Sequence, residues 1–480
     1  MAEFTVKELL TATGGTLHAS SLDEQYLITG ATIDTRTLKP GDLYVPIRGE
    51  VFDGHRFIDQ AIQLGSPLVL SEIETNAPHI RVDNCVLAYQ NIAKLHRERF
   101  DIPVVCITGS VGKTTTKDMV RSVLSARFQV HATVGNLNNQ TGVPTTVLQL
   151  NPSHEVSVME LGTNHFGEIS AIARVTQPTI CLFTNIGEAH IEFFGSREGI
   201  FRGKTEMLQY ARPGASILVN GDDDYLRQIP GAIRFGLSPE CEVRAENIVS
   251  DGLEHTSFTA HFFGQAMKVD LSVSGDYMVR NALAAIAAGS LLGMTQEELL
   301  QGLSLFHPAS GRADIIHTSR YTLIDGTYNA NPTSMEAALK LLSSAKNRRV
   351  CIFGDMLELG ENAPSYHERI GKIASDLGIE LMICVGALAK HAAFGEHAVW
   401  YPDQNQLMKD LPGLLEEGDT VLVKASQGMH LVKTLNYLKS IRSTVEKYGG
   451  TISITGEDGW FGLDILIPLK VNYPDLRLKP

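Results

Sequence analysis

The sequence predicts an α/β protein with two parallel-sheet units behind a small mixed N-terminal segment. Three observations carry this. From Pro103 to about Arg312, nearly continuous apolar runs (VVCIT, VSVMEL, TICLFTNI and SILVNG) alternate with helical segments, as in parallel strands buried on both faces. After about Ala313 the alternation restarts with YTLID, RRVCIFGD, LMICVG and TVLVKAS. A glycine turn directly follows the first central strand and opens a helix. The 480 residues suit about three domains.

The elements follow in chain order. FTVKELLTATGG reads as a short amphipathic helix stopped at Gly14-Gly15, and IDTRTLKPGDLYVPIRG as a strand, a Pro40-Gly41 turn and a second strand. This segment has no nucleotide loop of its own, so a separate domain is expected over 1–98, followed by a central domain over 99–313. Each central strand runs into polar residues (Ser110, Glu160, Asn185 and Asn220) at the edge where open α/β sheets bind ligands. FTAHFFGQAMKVDLSV predicts an antiparallel hairpin around Gly264-Gln265, and DYMVRNALAAIAAGSLLG a small-residue helix. The third domain is expected over 314–447. The tail, 448–480, has strong β-propensity and no helical pattern, and its ILIPLKV stretch is an aggregation hazard if exposed.

The stretch VVCITGSVGKTTT, Val104 to Thr116, is the main functional signal. Backbone N–H groups of Gly109, Ser110, Val111 and Gly112 and the helix N-terminus suit an anion. Lys113 can reach it, and the hydroxyl of Thr114, with Thr115 beside it, can hold Mg2+. Only two residues separate Gly109 from Gly112 where four are usual, and Ile107 holds the usual glycine place. Glu160 and His190 should reach the same edge, forming a plausible divalent cation site. Lys204 lies on a predicted helix with no special role visible. DGTYNANP, Asp325 to Pro332, could clasp a ribose or base, or be an ordinary Asn-rich turn.

Composition narrows the classes. Lysine and arginine number 41 against 54 acidic residues, a net charge of −13 without a basic block, which argues against nucleic acid or an anionic membrane as main partner. No run approaches transmembrane length, the N-terminus lacks a signal-type core, and six scattered cysteines fit a reducing compartment. A cytoplasmic protein is expected.

The motifs TGSVGKTTT, NLNNQTGVP, MELGTN, NIGEAH, RNALAA, SGRADI, DGTYNANP and GDMLELGE, in this order, resemble the Mur ligases, ATP-dependent amide-bond ligases of peptidoglycan precursor synthesis. The resemblance runs from residue 1 to about 447. It includes the shortened phosphate loop, and is strongest to the branch that joins D-alanyl-D-alanine to UDP-N-acetylmuramoyl-tripeptide through an acyl phosphate. It implies a central P-loop-type ATPase domain and a C-terminal Rossmann-like domain. ATP and two Mg2+ ions are implied, with Lys113 on the β/γ-phosphates, Thr114 and Glu160 on one ion, His190 on the second, and Lys204 carried as a carbamate ligand. Asn281 and Arg312 would contact phosphates, and Asp325 and Asn329 the nucleotide. Thr35 and Arg36, with Phe52-Asp53-Gly54-His55, would receive the UDP end, and Asn138, Asn139 and Thr141 would lie near the sugar and peptide. The substrate partners are therefore a UDP-sugar tripeptide and a dipeptide, with no nucleic acid, no membrane span, and a monomer expected. The competing readings are a folylpolyglutamate-type ligase, which lacks such a first domain, and a nucleotide-switched regulator. An oxidoreductase lacks its glycine fingerprint here.

Overall fold

The computed structural model describes residues 2–19, 22–49 and 52–440, and the backbone of two further strands, Thr451–Glu457 and Trp460–Leu466. The chain forms two compact units, Met1–His307 and Pro308–Pro480.

The first unit holds two large sheets. The smaller consists of β1 (Thr16–His18), β2 (Gly30–Thr32), β3 (Asp42–Tyr44), β4 (Leu68–Ser71) and β5 (His79–Arg81), in the spatial order 1-5-4-3-2. The β1–β5 pair is antiparallel and the rest parallel. The segment around Pro40-Gly41 therefore links two parallel neighbours, and its first strand lies at Gly30–Thr32 rather than at Ile33 onward. The predicted N-terminal helix is Val6–Thr13. Thr5 and Glu8 form a capping box at its start, and Gly14 closes it in the left-handed conformation.

The larger sheet has nine strands: β6 (Val104–Thr108), β7 (Val130–Ala132), β8 (Val156–Glu160), β9 (Ile180–Phe183), β10 (Ser216–Asn220), β11 (Ile233–Gly236), β12 (Val243–Asp251), β13 (His255–Phe262) and β14 (Gln265–Leu271). Their spatial order is 14-13-12-11-10-9-6-8-7. Strands β6 to β12 are parallel, and β12, β13 and β14 form an antiparallel meander. The predicted hairpin turns at Phe263-Gly264, both at positive φ, as a two-residue turn requires.

Strand alternation sorts residues to two cores. Val104, Cys106, Cys181 and Phe183 face one core, shared with Phe4, Leu43, Ile80 and the Cys85–Arg97 helix. Val105, Ile107, Ile180 and Leu182 face the other, under the Lys113–Ser125 and Asp276–Leu291 helices. The first sheet thus shares apolar packing with the nine-stranded one. Arg97, 1% exposed, reinforces that join by donating to the Thr176 carbonyl at 3.0 Å.

The second unit contains β15 (Asp314–His317), β16 (Thr322–Gly326), β17 (Arg349–Gly354), β18 (Leu381–Val385), β19 (Ala398–Tyr401) and β20 (Thr420–Lys424), ordered 15-16-20-17-18-19. All pairs but β15–β16 are parallel, and helices intervene, as in a Rossmann-like sheet. The four strands expected here are present. Edge strands β15 and β19 are additions, each only four residues long. In the tail, Thr451–Glu457 and Trp460–Leu466 pair antiparallel. The rest of ILIPLKV, from Ile467, lies outside the described residues.

The described residues include no helix long and apolar enough to cross a membrane. All six cysteines are buried thiols.

Candidate active site

The end of β6 carries the glycine loop into the Lys113–Ser125 helix. Gly109 has φ +153° and Gly112 φ +80°, and a Cβ at Gly109 would collide with Thr184 Oγ1. The neighbouring strand β9 supplies the brace that a short loop needs. Ser110 N–H donates to the Asn185 carbonyl (3.0 Å) and Val111 N–H to Asn185 Oδ1 (3.0 Å). Thr184 Oγ1 and Asn185 Nδ2 donate to the Val111 carbonyl at 2.6 and 3.1 Å. Gly187 N–H donates to Ser110 Oγ (2.9 Å). Lys113 curls back so that Nζ donates to the Gly109 carbonyl at 3.0 Å.

Behind the loop, Thr114 Oγ1 donates to Glu160 Oε2 (2.7 Å) and Asn138 Nδ2 to Glu160 Oε1 (2.8 Å). Glu160 is 2% exposed at the end of β8, and its N–H is held by Thr133 Oγ1 at 3.0 Å. A buried carboxylate gripped by a hydroxyl and an amide is a set of hard oxygen donors with fixed orientation. Asn138 is therefore placed on this carboxylate. Asn139 instead folds its own turn, its Oδ1 accepting from Thr141 and Gly142 N–H. Asn281 comes from the small-residue helix to accept from Thr116 Oγ1 (2.9 Å), beside Gly112. Thr115 is buried in the first helical turn.

Lys204 is 1% exposed on the Arg197–Thr205 helix, which Ser196 caps. Burial, and then the nearby Lys113 cation, push its amine well below the usual lysine range. No hydrogen-bond acceptor meets that amine among the described residues. On the same helix Gly199 and Gly203 lie close against Phe194, where a Cβ would strike it. His190 is half-buried and sits in the left-handed region at φ +59°, opening the short Ile191–Phe194 helix. Left-handed backbone at a histidine is a strained state that functional loops often hold. Arg197 braces the preceding segment by donating to the Ile186 carbonyl at 3.0 and 2.8 Å.

In the first sheet, Asp53 and His55 meet. His55 Nδ1 donates to Asp53 Oδ1 (2.7 Å), while His55 Nε2 accepts from Glu72 N–H (3.2 Å), so the neutral tautomer fits. Hydrogen bonds from the His55 backbone and ring lower Asp53 to about 2. Arg36 is exposed and forks onto Asp34, and Thr35 is half-buried between them.

The second unit has its own polar cluster at the end of β16. Asp325, 2% exposed, accepts from Gly311 N–H and from Thr327 N–H and Oγ1. The Arg312 guanidinium lies 3.9 Å from the Tyr328 ring centre. Asn329 is exposed, with Oδ1 turned back to Ala330 N–H. Lys424, which opens one of the two third-domain stretches (Lys424 to Met429 and Gly354 to Glu361) expected to meet the dipeptide, donates to the Asn329 carbonyl at 2.7 Å, and burial followed by Arg312 lowers it to about 8.

Phosphate loop, caged carboxylate and buried amine at one edge of a parallel sheet define a nucleotide-dependent transferase or ligase class. Family models match in chain order: the Mur ligase family catalytic domain over 27–102, the Mur ligase middle domain over 107–289, and the Mur ligase glutamate ligase domain over 311–427. The chain belongs to the Mur ligase family. It is 35% identical to the UDP-N-acetylmuramoyl-tripeptide–D-alanyl-D-alanine ligase of Bacillus subtilis (strain 168), covering 90% of this chain and 97% of that one. Crystal structure I of MurF from Acinetobacter baumannii superposes with a TM-score of 0.87 at 32% identity, covering 92% and 99% of the two chains. MurF ligase from Thermotoga maritima in complex with ADP gives 0.80 at 26%, covering 85% and 97%.

Proposed function

We infer that the chain is an ATP-dependent ligase joining D-alanyl-D-alanine to the C-terminal carboxylate of UDP-N-acetylmuramoyl-tripeptide, which yields the pentapeptide precursor of peptidoglycan. One observation carries the reading. The Gly109–Lys113 loop converges with the Thr114–Glu160 pair in a chain that aligns along nearly its whole length with ligases of that name.

A carboxylate resists amine attack because its leaving group is poor. Transfer of the γ-phosphoryl group forms a bond from the carboxylate oxygen to phosphorus and breaks the bond to ADP. The resulting acyl phosphate takes the dipeptide's amine at carbon. A C–N bond forms, inorganic phosphate leaves with the C–O electron pair, and the amine proton passes to water. Lys113 exchanges its Gly109 carbonyl partner for the β/γ-phosphates, and N–H groups of the loop and helix start other than those of Ser110 and Val111, which Asn185 holds, take the remaining oxygens. Thr114 and Glu160, oriented by Asn138, offer oxygen donors that fit one Mg2+, and Asn281 steadies the same turn. His190 and a carbamylated Lys204 are assigned to a second ion. The Lys204 amine fits carbamylation, because burial beside Lys113 favours its neutral form; that form can add its lone pair to the carbon of CO2, with one C–O π pair moving to oxygen and the nitrogen proton passing to water. When bound, the two ions would offset phosphate charge that otherwise repels the carboxylate.

In the same reading, residues 1–98 receive the UDP end through Thr35, Arg36, Asp53 and His55, with Asn138, Asn139 and Thr141 toward sugar and peptide. Residues 99–313 hold ATP and residues 314–447 form the third domain. Arg312, Asp325 and Asn329 serve the nucleotide. The protein acts as a cytoplasmic monomer. The test is ATP-dependent phosphate release with UDP-N-acetylmuramoyl-tripeptide, with and without D-alanyl-D-alanine, plus product mass. Release requiring both, with a gain of one dipeptide, is expected; ATP binding without release for any acceptor overturns it in favour of a regulator.

A further inference from the structure

A cluster at the edge of the first sheet is absent from the chemistry above. His18 ends edge strand β1, and His79 opens β5 directly opposite it in the antiparallel register. Their rings stack with centres 4.7 Å apart and planes 16° apart. Glu74, in the turn between β4 and β5, completes the group, and one ligand atom from each residue lies within 4.8 Å of the other two.

The state of His79 separates this cluster from a chance surface grouping. It is 2% exposed, and Nδ1 lies 2.9 Å from the Ala77 carbonyl, so the ring proton is on Nδ1. That leaves the Nε2 lone pair, which is buried without a hydrogen-bond partner. A buried unsatisfied nitrogen is costly. An imidazole whose other N–H is held by a backbone carbonyl is also the usual arrangement of a metal-bound histidine.

We propose that His18, Glu74 and His79 form a binding site for a divalent transition-metal ion of the zinc class, clipping edge strand β1 to β5 and to the β4–β5 turn. Two neutral imidazoles and one carboxylate are the borderline donors that Zn2+ and Co2+ accept, with water as a fourth ligand. Bond lengths near 2.1 Å place tetrahedral ligand atoms roughly 3.4 Å apart, so the three residues must draw inward by about an ångström. His18 and Glu74 are exposed and can make that movement, while His79 is the anchor. The hard-donor pair Thr114–Glu160 prefers Mg2+, so the two sites differ in chemistry.

The test is titration of the full chain, stripped by chelator and held in excess Mg2+, with Co2+ followed by its visible absorption and with Zn2+ by calorimetry. The expected result is one high-affinity equivalent with a tetrahedral Co2+ spectrum. His18→Gln and Glu74→Gln, both exposed positions, should each weaken that equivalent by about tenfold or more while keeping wild-type ligase turnover. Zn2+ should also raise the unfolding temperature of the wild type more than that of either variant. Absence of a tight equivalent in the wild type, or equal affinity in all three proteins, overturns the site.

Discussion

Two sheet edges of this molecule each bury a lysine, and the surroundings give them opposite characters. At the nine-stranded sheet, Lys204 is 1% exposed, has another cation nearby, and meets no acceptor among the described residues. At the six-stranded sheet, Lys424 is equally enclosed but donates to the Gly326 and Asn329 carbonyls and lies within reach of the Asp325 charge. Burial lowers both amines. Partners decide how far, because hydrogen bonds and an opposing carboxylate favour the cation while a second cation disfavours it. The first environment favours a neutral amine, which the proposed carbamylation requires; the second holds a structural cross-link between β20 and the loop after β16.

The comparison is broken or sharpened by substitution. Lys113→Ala removes both the phosphate counter-charge and the cation beside Lys204, and turnover should fall about 10³-fold or more while the unfolding temperature holds. Full activity would sink the loop assignment. Lys204→Arg, unable to form a carbamate, should lose about 10²-fold in turnover and lose the carbamate carbon signal that wild type shows under labelled CO2. A wild-type spectrum lacking that signal would remove Lys204 from the metal site.

Lys424 should declare itself through pH instead. Its folded pKa is about 8 against an ordinary 10.5, so between those values the unfolded chain binds the proton and the folded one does not. Stability then rises with pH from 8 to 10.5, and the penalty of about 3 kcal/mol is fully present below 8. Denaturant unfolding at pH 8 and 10 should show this slope in wild type and a flatter one in Lys424→Met. Asn185→Ala should raise KM for ATP about tenfold by loosening Val111; an unchanged KM would mean the loop holds its shape without β9. Deleting residues 449–480 should alter turnover by roughly twofold at most, and a folded but inactive deletion would put the tail inside the ligase.

Much of the site was legible because its signals are local. An apolar strand stopping at Gly109, or at Glu160, declares both the sheet edge and the polar group on it. The capping box at Thr5 and the stop at Gly14 depend on neighbours a few residues apart. Lys204 was opaque, since GIFRGKTEM reads as an ordinary solvated helix. Its burial is a packing event that no local pattern encodes. The hold of the Asn138 amide on Glu160, from a loop before β8, was likewise not written in any local pattern.

By itself the sequence determined the α/β class, the long buried strands of both parallel sheets, the phosphate loop and the family. Each is written in periodicity, turn residues or contiguous motifs. Tertiary structure decided which groups share a space: Asn185 with Val111, Asn281 with Thr116, and Glu74 with two histidines on paired strands. It also decided which amines lose their water. Those outcomes depend on contacts between residues far apart in the chain, and solvation free energy is set by the enclosing atoms rather than by the side chain's own neighbours in sequence.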